Sequence, residues 1–132
     1  MSILRVKCDT IARVSLPAKS DAAFEPGDLV KYDANGVALA GAGVVAGMVM
    51  ESKVATSINP AEYGATAVTV VRGPGLISTD EYEGAVVAGN QMVINPATSK
   101  LKVKAAETTP VIAIALGPGT ATEVDFLLTG DM

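Results

Sequence analysis

A nucleophile, a general base or a metal ligand would have to come from a short roster. The 132-residue chain has one cysteine, Cys8, no histidine, and fourteen acidic against ten basic residues. Histidine is the side chain best suited to proton transfer near neutrality and the commonest metal ligand. Without it, serine and threonine hydroxyls lack their usual activating base. Cys8 has no second cysteine for a disulfide or a thiolate cluster, and it sits in an N-terminal strand pattern where a small buried hydrophobe is the default. Asp80, Glu81 and Glu83 suggest a carboxylate pair or a calcium site. No Asp-x-Asp-x-Asp-Gly loop surrounds them, however, and beside Tyr82 they read as a solvated turn. The expectation is a protein that is not an enzyme and that holds no metal and no cofactor.

Two further segments imitate known chemistry. Gly41-Ala42-Gly43-Val44-Val45-Ala46-Gly47 has the look of a glycine-rich phosphate loop, but such a loop needs a strand before it and a helix after it. Here a turn at Asn35-Gly36 precedes it and no helical pattern follows, so it reads as a hairpin connection. Met48-Val49-Met50-Glu51 is similar to the hairpin that presents the modified lysine of biotinyl and lipoyl carriers. Val49 stands at the lysine position and Lys53 is too far along to substitute, so the segment reads as core, with methionine filling irregular space.

The elements that would position any site are strands. Turn residues punctuate the chain at Pro17, Pro26-Gly27, Asn35-Gly36, Asn59-Pro60, Gly73-Pro74-Gly75, Gly89-Asn90, Asn95-Pro96 and Gly117-Pro118-Gly119. Between them lie short Val- and Ile-rich runs at 29–32, 44–50, 67–71, 92–94, 101–104, 111–116 and 124–128. Single helical turns are expected at 57–63 and 78–83, where a potential cap precedes acidic residues. Lys100-Leu101-Lys102-Val103-Lys104 alternates strictly, which turns Leu101 and Val103 to a core and three lysines to water or to a protected edge. Val111-Ile112-Ala113-Ile114-Ala115-Leu116 is apolar on both faces, as suits a strand covered on both sides or one whose outer face meets a partner subunit, and the second is preferred in a chain this small. The predicted fold is all-β: a compact β-barrel or β-sandwich-like domain of short strands and hairpins, with at most one or two short helical turns.

Composition narrows the partners. A net charge of -4 is the wrong sign for neutralising phosphates, which argues against nucleic acid. No run approaches the ~20 apolar residues of a membrane span, and the basic start lacks the apolar stretch of a signal peptide. Both point to a product made in the cytoplasm. Residues 1–16 read as an N-terminal strand region or arm, and 17–132 as a single β domain. Within that domain, 26–39 echoes 88–103, and an apolar strand follows each, giving two similar three-strand units at about 25–50 and 87–116.

The order of segments resembles the capsid cement, or head-decoration, proteins of tailed bacteriophages. The resemblance runs from Val14 to Leu128. It is carried by Arg13-Val14-Ser15-Leu16-Pro17-Ala18, Glu25-Pro26-Gly27-Asp28-Leu29-Val30, Asn35-Gly36-Val37-Ala38 and Val45-Ala46-Gly47-Met48-Val49. It continues through Val86-Val87-Ala88-Gly89-Asn90-Gln91-Met92-Val93, Lys100-Leu101, Ile112-Ala113-Ile114-Ala115-Leu116 and the closing strand 124–128. It implies a virion structural protein on the capsid exterior, made in the host cytoplasm. Such a protein binds the outer surface of the mature shell, often as a homotrimer, and braces neighbouring major capsid protein subunits. Some relatives in that family reach the shell through an N-terminal arm, which in this chain would be Ser2, Ile3, Leu4, Arg5 and Val6; their alternation suits strand addition. The alternative is a small β-rich adhesin or carbohydrate-binding module of a virion, whose expected mark is a cluster of exposed aromatics. Two Phe, three Tyr and no Trp make that mark faint.

Overall fold

The computed structural model describes residues 4–8, 11–18, 22–33, 36–41, 44–52, 67–105, 109–118 and 123–129. These form two sheets and no helix. The seven-stranded sheet has the order β1-β7-β12-β11-β9-β10-β8, with β1 Leu4–Val6, β7 Gly75–Thr79, β12 Val124–Leu128, β11 Ala113–Pro118, β9 Gln91–Asn95, β10 Lys100–Val103 and β8 Tyr82–Glu83. The five-stranded sheet has the order β2-β6-β5-β3-β4, with β2 Ala12–Pro17, β6 Ala67–Arg72, β5 Gly47–Val49, β3 Leu29–Lys31 and β4 Ala38–Leu39. Its edge strands approach each other at one parallel bridge, Ala18 to Val37. The result is sandwich-like rather than a closed barrel.

One bent ribbon ties the sheets together. β1 pairs antiparallel with β7, and β2 with β6, so the same two chain segments run through both layers. At the corner Ile11 packs where a side chain on Gly75 would stand. A glycine there lets the ribbon turn without a clash.

Strand alternation builds two cores on opposite faces of the five-stranded sheet. Leu29, Met48 and Val71 join Ile77, Met92, Leu101, Ala115, Phe126 and Leu128 between the sheets. Their chain neighbours Val30, Val49 and Val70 point the other way, into a smaller cluster with Ala18, Phe24, Val37 and Val68. Burial of each such side chain contributes about 1.5–3 kcal/mol. β5 is therefore buried on both faces, and Met48-Val49-Met50 is core, with Met50 packed at the margin of the larger cluster. Cys8 packs against the same cluster, and its Sγ accepts the Leu76 N–H at 3.2 Å.

The two echoing segments have one topology. β3, β4 and β5 pair in the order β5-β3-β4, and β9, β10 and β11 in the order β11-β9-β10. Each unit enters through the same turn. The Asp28 N–H donates to Glu25 O and Asp28 Oδ2 accepts the Glu25 N–H, while the Asn90 N–H donates to Val87 O and Asn90 Oδ1 accepts the Val87 N–H. Gly27 and Gly89 hold φ values of +96° and +91° within these turns. The partners match as well: the Gly27 N–H donates to Val49 O as the Gly89 N–H donates to Ala115 O, and the Val49 N–H to Asp28 O as the Ala115 N–H to Asn90 O.

A polar clasp locks the first unit to the second. Lys100 donates from Nζ to Asp28 Oδ1 at 3.0 Å and to Glu81 Oε2. Buried Ser99, held at φ +57°, takes the Leu29 N–H on its carbonyl and the Gly41 N–H on Oγ. Burial alone would lower the Lys100 pKa, but hydrogen bonds to Glu81 and Asp28 more than offset it and leave the ammonium above its ordinary value.

Several expectations need correction. Segment 78–83 is not a helical turn: Ser78 and Thr79 close β7 and Tyr82 opens β8, with Ser78 bridged to both Arg5 and Asp125. Pairing on both sides wins over a local cap. The lysine strand is not an edge, because β8 lies outside it in parallel, and Lys100 turns from water into the clasp. The expected turn at 57–63 lies outside the described residues.

Candidate interaction surfaces

Among the described residues the surfaces with potential for contact are a strand edge and a sheet face. β1 ends the seven-stranded sheet, bonded to β7 on one side only. The Lys7 N–H donates to Leu76 O at 2.8 Å. Antiparallel alternation then aims the backbone groups of Arg5 at β7 and those of Leu4 and Val6 away from it. Leu4 and Val6 rest their side chains on the core, whereas Arg5 is exposed and its Nε lies 3.1 Å from buried Glu123. Lys7 reaches Asp125 at 3.2 Å. These pairs fasten β1 down its outer face, and among the described residues no strand pairs with its other edge. Of the residues expected to contact a partner, Leu4, Arg5 and Val6 thus lie on this edge strand; Ser2 and Ile3 lie outside the described residues.

The outer face of the same sheet carries an apolar row. Leu76 lies opposite Leu127, Leu127 opposite Ile114, and Ile114 opposite Gln91. Alternation sets Leu116 on the same side as Ile114, next to a register shift between Ala115 and Gly117. Leu116 is 49% and Leu127 41% exposed. Ala113 and Ala115, which alternate with Ile114 and Leu116, are fully buried. β11 thus has one covered face and one apolar face that is only partly covered, with Ile114 half-buried and Leu116 exposed. The second-unit turn adds exposed Val87 near this strand, through the bond from Gly89 to Ala115.

Two of the three acidic residues are engaged inside the fold rather than in a solvated turn. Glu81 goes to Lys100, and Glu83 accepts from Asn95 Nδ2. Sequence reading missed β7 and β8, and with them the clasp. Leu76 and Ile77, facing opposite ways in a short run after Gly75, were the available signal. Among the described residues no helix is long and apolar enough to cross a membrane. Comparison with known protein families and with curated proteins finds no match for this chain.

Proposed function

We propose that this chain is a virion structural protein that binds the exterior of the mature capsid and braces neighbouring major capsid protein subunits. Supporting this reading are the order of segments from Val14 to Leu128 and one geometric observation, the open edge of β1. An edge strand takes up an extended segment from another protein through main-chain hydrogen bonds, with alternate side chains supplying specificity. Leu4 and Val6 carry the backbone groups that point away from β7 and would make that bond.

A protein that binds only the mature lattice stabilises it by mass action, by about 2.7 kcal/mol per site when free ligand is at a hundred times its Kd. Association as a homotrimer would join several such contacts, adding avidity where all can engage together.

The test is co-sedimentation with empty mature shells. Wild-type protein is expected to pellet with them, and Leu4→Pro, which removes an outward backbone donor together with the Leu4 side chain, to lose binding at least tenfold relative to Leu4→Ala, which removes the same packing and keeps the donor. Wild-type protein that never pellets with shells overturns the reading. A Leu4→Pro variant that binds like wild type removes β1 as the contact.

A further inference from the structure

We infer that Lys100 and Asp28 condense, after folding, into an internal amide that joins the two units of the chain covalently, with Glu81 carrying the protons. The bond forms within one copy and does not depend on shell binding.

Three elements bring the groups together. Lys100 opens β10, Asp28 closes the turn that leads into β3, and Glu81 stands between β7 and β8. Lys100 Nζ lies 3.0 Å from Asp28 Oδ1 and donates as well to Glu81 Oε2, so a nucleophile, an electrophile and a proton acceptor meet at one point. Their side chains are 26%, 10% and 16% exposed, which leaves little room for water to compete. Groups held in this way react as if highly concentrated, with effective molarities of about 10⁵ M or more when the reacting atoms are aligned at contact distance. Condensation also replaces two partly desolvated charges by a neutral amide.

The turn at Asp28 supplies the remaining part. Asp28 Oδ2 accepts the Glu25 N–H at 2.9 Å. That donor fixes the carboxyl group and faces the oxygen on which negative charge develops when Nζ adds to Cγ. Oδ1 is then the leaving oxygen. Glu81 takes a proton from Nζ and passes it to Oδ1, and does so twice. Nitrogen gives up two of the ammonium's three hydrogens, one water departs, and Glu81 ends ionised as it began. No electron is transferred and no co-reactant is needed. Burial favours the neutral amine that attacks, but the hydrogen bonds to Glu81 and Asp28 favour the ammonium and prevail, so the reactive form is scarce. Freshly folded chain therefore carries the ion pair, and the amide accumulates from it slowly.

Mass spectrometry reads the bond directly. Wild-type chain, Lys100→Arg and Glu81→Gln are kept folded at neutral pH, sampled over several days, unfolded in acid and weighed intact, then digested with trypsin. Wild type is expected to become lighter by one water, Lys100→Arg to keep its full mass, and Glu81→Gln to lose water at least tenfold more slowly. Digestion of wild type is expected to give a branched product joining 20–31 to 73–102, uncut at Lys100. Wild-type chain that keeps the full mass of its sequence throughout overturns the inference. So does water lost equally from Lys100→Arg, or a product in which Lys100 is joined to Glu81, which lies within 73–102 and gives no branch. Condensation of Glu81→Gln at the wild-type rate removes Glu81 as the proton carrier. Shells take no part in this experiment, so failure of shell binding and failure of amide formation are read separately.

Discussion

Lys100 Nζ stands 3.0 Å from Asp28 Oδ1, joining residues 72 apart in sequence, and the same carboxylate's Oδ2 accepts the Glu25 N–H that shapes its own turn. One aspartate therefore closes a local turn and anchors a distant strand.

Replacing Lys100 by methionine leaves Asp28 and Glu81 facing each other in a largely buried setting. Stranding charged partners in this way costs about 2–3 kcal/mol. Asp28→Asn retains an acceptor for Glu25 and loses the ion pair. Chemical denaturation of both variants and of the double variant is expected to show less than additive losses, because the two changes remove one shared interaction.

The clasp also sets a pH dependence. Lys100 titrates above the ordinary lysine value of 10.5 in the folded chain. A raised lysine contributes stability that is complete below the unfolded value and disappears as pH rises through the folded one. Urea midpoints measured upward from pH 9 are expected to fall more steeply for wild type than for Lys100→Met.

The paired turns supply a controlled comparison. Alanine at Gly27 would suffer positive-φ strain and would also bring its Cβ to 2.6 Å from Glu81 Cβ, whereas at Gly89 nothing lies within 4 Å. Gly89→Ala is expected to cost about 1–2 kcal/mol from backbone strain alone. Gly27→Ala is expected to cost about 1–3 kcal/mol more from overpacking. Thermal melts of the two variants resolve the difference.

Core and outer face should respond differently to truncation. Met48→Ala empties a fully buried position between the sheets and is expected to cost about 2–5 kcal/mol. Leu127→Ala, on the partly exposed outer face between Leu76 and Ile114, is expected to cost less, about 1 kcal/mol. Denaturant titration at high dilution checks both.

The sequence by itself determined the class of fold and most of its strands. Turn residues every few positions leave no room for a long helix, and alternating Val, Ile and Leu can bury one side only as strands. It also determined that 26–39 and 88–103 are built alike, because glycine followed by Asp or Asn is what their shared turn requires. That β11 is apolar on both faces was legible for the same reason, but whether both faces are covered was not, since the pattern fits either arrangement. Tertiary structure alone decided how Lys100 is used: alternation assigns it to water, but the stacking of the two units brings Asp28 and Glu81 within reach, and paired charge outweighs hydration there. It alone also made strands of 75–79 and 82–83, whose residues have mixed local preferences and take their conformation from the strands beside them. Local patterning fixes which way a side chain faces, and only the packing of distant segments fixes what it meets.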